Sequence, residues 1–379
     1  PWTSLSRLRQ ASSRETMTRN KSNNYRPSGR TVISFINLWG DVLSSESETA
    51  SEQPPGQRRQ ARTWQRLLPW LISIICFSYL YSRIAARTPE GENVVTYLAG
   101  VFGTVNWLAW LGIMVPYSVL YLLIDTAILW RVVNWFNARV AYRDLLPVRA
   151  STYIISILNE QIGKGAMVYY LNRREGISAW EVGSSMLFIM FCEFFYLLAW
   201  ATIGVAISWD LIPPIFHVIP YIAAGAALFW VLFVWFFRSP RFADVRLRAK
   251  PLLKSFREGK LYYYLTIMLL RSPALLAAVW VYSAAAGLFG VEIPLRDMLG
   301  VLPVIFFGTL VPGPFRAVAV TLWPTLFPEH VAEMAVFGFV QHNFFLLFNA
   351  AIGLVFLRQA NRELFSDDGA PEKGNSHSP

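Results

Sequence analysis

Long apolar runs constrain this sequence more than any other feature. Stretches of about 20 to 30 residues with few charges recur along the chain, and helices of that length cross a hydrocarbon core of roughly 30 Å. Because the backbone in lipid must satisfy its own hydrogen bonds, such runs form helices. A transmembrane barrel would need alternating segments of about 10 residues, and the sequence shows none. The sequence therefore predicts an all-α integral membrane protein.

Composition supports the same class and argues against a nucleic-acid partner. The 379 residues are 54% hydrophobic and 15% charged, whereas soluble proteins carry about a quarter charged residues. The net charge of +10 comes from Arg and Lys in short loops beside apolar runs, a pattern that sets topology and attracts anionic lipid headgroups. Cys76 and Cys192 lie inside separate apolar segments, so no disulfide is expected.

The chain is expected to consist of a membrane domain between two tails. Residues 1–63 are rich in Ser, Asn, Arg and Gln and lack apolar periodicity, which predicts a disordered cytoplasmic tail without a cleaved signal peptide. Residues 64–360 form the predicted polytopic membrane domain. Residues 361–379 are predicted to be a second disordered cytoplasmic tail.

The positions of the basic loops predict about six transmembrane helices with both termini in the cytoplasm. The predicted spans are residues 67–86, 107–130, 182–209, 211–237, 261–290 and 331–357. The depth of residues 94–105 stays open, as either an interfacial or a partly inserted segment.

Two further apolar segments are predicted to be re-entrant. Residues 151–163 have basic residues on both sides and are too few to cross twice, so a re-entrant or interfacial helix on the cytoplasmic side is the simplest account. Residues 298–328 must start and finish outside, and their prolines and glycines favour a broken helix over two short crossings. Interrupted helices in corresponding halves are typical of a transporter site near the midplane. An inverted pseudo-repeat and a coincidence both remain open.

Ionisable residues inside spans cost at least about 2.5 kcal/mol each, so each one needs a reason. Glu193 lies mid-span and is either a buried acid that carries a proton or one partner of an interhelical ion pair. Arg271 precedes Pro273, where a kink would open a cavity; the alternative is snorkelling to the surface. Asp125 lies near the inner end of its span and is expected to reach the interface.

Other polar residues complete the candidate site. Gln341, His342, Asn343 and Asn349 cluster in the last span, with residues 342 and 349 on similar helix faces. They are predicted to form a polar seam or to hydrogen-bond across helices. Arg316 suits a lipid phosphate, and Lys164 offers a point charge on the inner side. Because the sequence has no HExxH, GxSxG or P-loop motif, no catalytic residue, metal or cofactor is predicted.

Three motifs carry a family resemblance. They are Asn159-Glu160-Gln161-Ile162-Gly163-Lys164-Gly165, Leu171-Asn172-Arg173-Arg174-Glu175-Gly176-Ile177-Ser178 and Phe307-Gly308-Thr309-Leu310-Val311-Pro312-Gly313-Pro314-Phe315-Arg316. Through them, residues 67–358 resemble the membrane domain of the lysylphosphatidylglycerol synthetase family, also called the flippase-like domain. The resemblance implies a divergent, stand-alone member without the soluble aminoacyl-transferase domain of the longer members.

The resemblance implies flipping of a phosphate-bearing lipid or lipid-linked intermediate, and favours a transporter over an enzyme. Lys164, Arg271 and Arg316 would bind the anionic headgroup, and Glu193 would offset one of these charges or respond to protons. The alternative is a membrane-embedded lipid-modifying transferase or its partner subunit; a third hypothesis is a scaffold for envelope enzymes. The expected location is the bacterial cytoplasmic (inner) membrane, with a homo-oligomer or an envelope-enzyme partner.

Overall fold

The computed structural model describes residues 55–156, 160–242, 244–311 and 316–365. The chain divides into two units, Pro1–Thr63 and Trp64–Pro379. The predicted tails lie outside the described residues, except for residues 55–63 and 361–365, which are helical.

The described residues form helices joined by turns, and no strand occurs among them. In chain order the α-helices are α1 (Pro55–Ala85), α2 (Val94–Thr104), α3 (Trp107–Phe136), α4 (Tyr142–Ser156), α5 (Glu160–Glu175), α6 (Ala179–Ile207), α7 (Ile219–Arg238), α8 (Lys254–Glu258), α9 (Leu261–Gly287), α10 (Leu295–Gly308), α11 (Ala317–Leu326) and α12 (Val331–Phe365).

Among the described residues, five helical segments are long and apolar enough to cross a membrane, which confirms the predicted class of all-α membrane protein. They are Trp107–Phe136, Ala179–Ile207, Pro214–Arg238, Leu261–Gly287 and Pro328–Leu357. The sixth predicted span, residues 67–86, lies in α1, whose apolar stretch Trp70–Ala85 is shorter. Residues 94–105, whose depth the sequence left open, form a separate short apolar helix, α2.

The ends of the long helices meet at two opposite ends of the bundle. At one end, Ser185 Oγ near the start of α6 donates to Asn137 Oδ1 just after α3, at 2.6 Å. At the other end, the rings of Trp107 and Phe289 lie 6.0 Å apart, where α3 begins and α9 has just ended. These are called the Asn137 end and the Trp107 end.

The first hairpin, α4 and α5, doubles back within the bundle. Asp144 near the start of α4 pairs with Arg174 at the end of α5 at 2.9 Å, and Gly163 near the start of α5 packs against Ser156 at the end of α4. The two helices are therefore antiparallel. With 15 and 16 residues, each is about 22 to 24 Å long and too short to cross the core.

The base of the first hairpin lies at the Asn137 end. Asn134 Nδ2 in the last turns of α3 donates to the carbonyl oxygen of Val140 at 3.1 Å. Trp130 Nε1 donates to the same carbonyl oxygen at 2.8 Å. The tip, residues 157–159, lies outside the described residues.

The second hairpin, α10 and α11, enters from the Trp107 end. Gly300 in α10 packs against Gly204 and Ser208 at the C-terminal end of α6, a contact that a Cβ on either glycine would obstruct. Gly308 at the end of α10 packs against Leu322 of α11. The two helices have 14 and 10 residues, again too few to cross. The Pro312-Gly313-Pro314 tip lies outside the described residues.

Two apolar cores fill the bundle, one toward each end. The core at the Trp107 end includes Trp110, Tyr117, Ala201 and Leu275, and the core at the Asn137 end includes Val132, Val182 and Ile267. α3, α6 and α9 contribute to both cores and pass through the gap between them.

Candidate functional site

A cluster of buried charges occupies the gap between the two cores. On α3, α6 and α9, the buried residues of the two cores leave a polar position between them. These positions are Asp125 on α3, Glu193 on α6 and Arg271 on α9. The first hairpin adds Arg149 and Tyr153 from α4. These five residues are called the charge cluster.

Asp125 is held through both of its carboxylate oxygens. One of its oxygens, Oδ2, accepts hydrogen bonds from Arg149 Nε at 2.7 Å and from the Tyr153 hydroxyl at 2.9 Å. Its other oxygen, Oδ1, lies 3.5 Å from an Arg271 guanidinium nitrogen. The expectation that Asp125 reaches the interface was therefore wrong: two arginines compensate its charge inside the protein, so it need not leave.

Arg271 joins the two carboxylates. One guanidinium nitrogen donates to Glu193 Oε1 at 2.8 Å, while another faces Asp125. The Tyr196 hydroxyl donates to the backbone carbonyl of Arg271 at 3.1 Å, which ties α6 to α9 at this level. Arg271 is only 8% exposed, so of the two alternatives from the sequence the structure shows an inward-pointing arginine and not a snorkelling one.

One N–H donor of the Arg271 guanidinium group takes no part in these contacts. Within the part of the chain that the structure describes, the buried Nε of Arg271 has no hydrogen-bond partner. A buried donor without a partner costs about 1 to 3 kcal/mol, and more on a charged group. Arg271 therefore holds two carboxylates and still offers an N–H to a ligand.

The formal charges of the cluster cancel. Arg149 and Arg271 contribute two positive charges, and Asp125 and Glu193 contribute two negative charges. Side-chain exposure is only 9 to 12% for these four residues. Because a buried ion without a counterion costs several kcal/mol, neutrality is what allows the cluster to exist at this depth.

Arg316 lies on the second hairpin and approaches the same region from the Trp107 end. It is in the left-handed conformation, with φ of 50°, immediately before α11. Its guanidinium carbon lies 6.0 Å from the centre of the Phe345 ring. Phe345 in turn contacts Tyr121, with ring centres 4.8 Å apart, and Tyr121 lies one helical turn from Asp125 on α3.

The residues of the predicted polar seam have different environments in the structure. Gln341 and His342 are buried, and Trp323 Nε1 in the second hairpin donates to His342 Nε2 at 3.3 Å. Asn343 instead donates to the carbonyl of Phe339 in its own helix at 2.7 Å. Asn349 of α12 is buried, at 2% exposure.

Lys164 cannot be placed against the other candidates. It lies in α5 of the first hairpin, and its side chain is outside the described part of the chain. Of the three predicted headgroup-binding cations, the structure thus brings Arg271 into the charge cluster and sets Arg316 on the opposing hairpin.

Sequence reasoning missed Arg149 and Tyr153 as members of the site. Their four-residue spacing puts both on one face of α4, and the Arg149 guanidinium carbon lies 4.9 Å from the Tyr153 ring centre. An arginine that opens an apolar segment suggests a topology signal. The four-residue spacing indicates that the two residues share a helix face. Their partner, Asp125, is identified only once α4 packs against α3.

Comparison with protein families, with curated proteins and with solved structures found no match for this chain.

Proposed function

We propose that this protein moves a phosphate-bearing lipid or lipid-linked intermediate across the bilayer. The observation that carries the proposal is Arg271: it is buried between the two cores, paired with Asp125 and Glu193, and retains an unpartnered N–H donor. An arginine N–H forms a strong, charge-assisted hydrogen bond to a phosphate oxygen, so a headgroup phosphate suits the unpartnered Nε–H of Arg271.

The architecture around the cluster supports transport through the middle of the bundle. The first hairpin reaches the cluster from the Asn137 end, and the second hairpin brings Arg316 toward Phe345 and Tyr121 from the Trp107 end. Short helices that stop inside the bundle are typical of sites near the midplane of transporters. A headgroup would meet Arg316 from one side and Arg149 and Arg271 from the other.

The resemblance to the flippase-like domain family supports the same function and remains part of the proposal. The location in the bacterial cytoplasmic membrane and the cytoplasmic position of both termini are also part of the proposal. For the orientation, the support is the basic loop between α7 and α9 at the Asn137 end, because such loops stay in the cytoplasm.

The direct test is a scrambling assay in reconstituted vesicles. Phosphatidylcholine vesicles carry a trace of phosphatidylglycerol with a fluorescent NBD headgroup, and dithionite, which does not cross the bilayer, quenches only the outer leaflet. With wild-type protein we expect quenching to extend to the inner-leaflet label, and we expect Arg271→Ala to remove that phase. Arg296→Ala is the matched control, because Arg296 is exposed and, within the described ranges, its side chain donates to the backbone carbonyl of Ile207 at 3.3 Å and to no other group.

Two outcomes would contradict the proposal. The inner-leaflet label could stay protected with wild-type protein, or Arg271→Ala could scramble like wild type while folded. Mass spectrometry of the recovered lipid distinguishes translocation from the alternative transferase activity, because translocation leaves the headgroup mass unchanged.

A further inference from the structure

We propose that the basic linker, residues 239–260 between α7 and α9, binds the anionic phospholipids of the leaflet at the Asn137 end. The inference is independent of lipid translocation, because it concerns the membrane surface and not the charge cluster. It comes from the charge of the linker, from the place where the linker folds back on α7, and from two exposed apolar side chains that lie among its arginines.

The basic linker carries far more positive than negative charge. Its seven basic residues stand against two acidic ones: Arg241, Arg246, Arg248, Lys250, Lys254, Arg257 and Lys260 against Asp244 and Glu258. Among the described residues, its ion pairs are Lys254 with Glu181 of α6 at 2.6 Å and Arg257 with Glu258 at 3.7 Å. The exposed side chains of Arg241, Arg246 and Lys250 therefore remain available to an anionic partner.

The basic linker is folded against the bundle. Arg248 donates to the backbone carbonyl of Ser239 at 2.8 Å, and Arg257 donates to the backbone carbonyl of Arg248 at 2.9 Å. Ser255 Oγ lies 3.2 Å from Ser185 Oγ, which helps to define the Asn137 end. These bonds fix the positions of the cations close to the ends of the spans.

The start of the linker lies at the level of the lipid headgroups. The ring of Phe242 packs on Trp235 and Phe236 near the end of α7, with ring centres 5.1 and 5.2 Å apart. α7 belongs to the least buried of the five spans, and Trp235 is 49% exposed, so its indole ring faces lipid. Tryptophans near the end of a span lie at the membrane–water interface. Because Phe242 reaches this level, the linker runs along the membrane surface and not away from it.

Apolar and basic side chains alternate in the exposed part of the linker. Val245 is 38% and Leu247 is 50% exposed, and Arg246 and Arg248 follow them in turn. At a membrane surface such apolar side chains enter the boundary between headgroups and acyl chains, while the neighbouring cations stay with the phosphates. The alternation therefore favours a lipid surface over an acidic soluble protein as the partner.

The chemistry that the linker recognises is a negatively charged phosphate headgroup. Arginine forms charge-assisted hydrogen bonds to phosphate oxygens. Each Lys or Arg close to an anionic membrane surface raises association about fivefold. Phosphatidylglycerol should therefore gather at the linker in preference to neutral phosphatidylcholine. Salt should weaken the preference, because exposed charges are screened over about 10 Å at 0.1 M ionic strength.

The test measures which lipids surround the linker. Leu247→Cys, in a Cys76→Ser and Cys192→Ser background, carries bimane, a fluorophore that is quenched on contact by lipids with brominated acyl chains. The protein is reconstituted into mixtures of phosphatidylcholine and phosphatidylglycerol with bromine on one lipid or on the other, so that quenching reports the ratio of the two lipids at the probe. We expect phosphatidylglycerol to be enriched at least about fivefold over its bulk share, and the enrichment to fall as salt is added.

A second probe position and two pairs of substitutions provide the controls. Tyr221, 75% exposed near the start of α7 and so at the Trp107 end, is the reference, and bimane on Tyr221→Cys should report no enrichment. Arg241→Gln with Arg246→Gln should bring the lipid ratio at Leu247→Cys to the bulk value. Arg87→Gln with Arg296→Gln removes the same charge from exposed positions outside the linker and should keep the enrichment.

Three results would overturn the proposal. Unquenched bimane on Leu247→Cys would show that the linker faces water, as a surface for a soluble acidic partner would. Quenching without enrichment would remove the preference for anionic lipid, and enrichment that survives Arg241→Gln with Arg246→Gln would remove the linker cations as its cause. Because these measurements do not follow lipid movement, their failure leaves the translocation proposal standing, and failure of translocation leaves this surface standing.

Discussion

Asp125→Asn tests whether the charge cluster holds the first hairpin against the spans. The substitution keeps the shape of the side chain but removes the charge that Arg149 Nε meets at 2.7 Å and Arg271 meets at 3.5 Å. Removing one partner of a buried ion pair costs about 3 to 5 kcal/mol, because the other charge stays buried without compensation. For a domain of this size, that corresponds to a fall in Tm of about 5 to 10 °C.

Cys192 supplies the assay for this prediction. It is 2% exposed, so a maleimide dye that fluoresces on reaction with thiols reports its exposure as the detergent-solubilised protein is heated. A Cys76→Ser background removes the other, partly exposed cysteine. Tyr153→Phe should cost less than Asp125→Asn, about 1.5 to 3 kcal/mol, because it removes one hydrogen bond to a charged group and leaves both arginines in place.

A double substitution decides whether the pair is the cause. Asp125→Asn with Arg149→Met removes both charges, so the combined loss should be smaller than the sum of the two single losses by more than about 1 kcal/mol. Losses that add to within about 0.5 kcal/mol would show that the two residues act independently, and the reasoning about the cluster would be refuted.

Two further predictions concern the second hairpin. Gly204→Ala should lower Tm in the same assay by the equivalent of about 1 to 3 kcal/mol, because its Cβ would meet the backbone carbonyl of Gly300; Gly225→Ala, with open space around it, is the control, and equal Tm values would contradict the close packing of α10 on α6. Arg316→Ala should slow lipid scrambling at least about tenfold, the value of one charge-assisted contact of about 1.4 kcal/mol or more, whereas Arg296→Ala should scramble like wild type; equal rates would remove Arg316 from the path.

The sequence predicted the long apolar helices and two re-entrant segments because the signals for them are local. The structure shows a pair of helices, α4 and α5, where the sequence predicted a single short segment over residues 151–163. Apolar length shows which segments cross, and basic residues on both flanks of residues 151–163 show that this segment returns. The sequence also identified Glu193 and Arg271 one at a time, because each is costly in lipid. These helices and single residues can be identified without knowing which helix packs against which.

The pairing within the site could not be predicted in the same way. Asp125 and Arg149 are each near the edge of an apolar run, so each alone has a simple explanation at the interface. They become partners only because α4 folds back along α3 and places Arg149 opposite Asp125. On α12, by contrast, spacing places residues 342 and 349 on similar faces of the helix, and both are buried.

The central claim is that the two hairpins enter the bundle from opposite faces of the membrane, so that the charge cluster lies between them. Single cysteines at Arg173 and Leu295, in a Cys76→Ser and Cys192→Ser background, sit at the exposed bases of the first and second hairpins. A membrane-impermeant maleimide applied to sealed vesicles of each orientation should label Arg173→Cys from one side only and Leu295→Cys from the other side only. Labelling of both positions from the same side would contradict the claim.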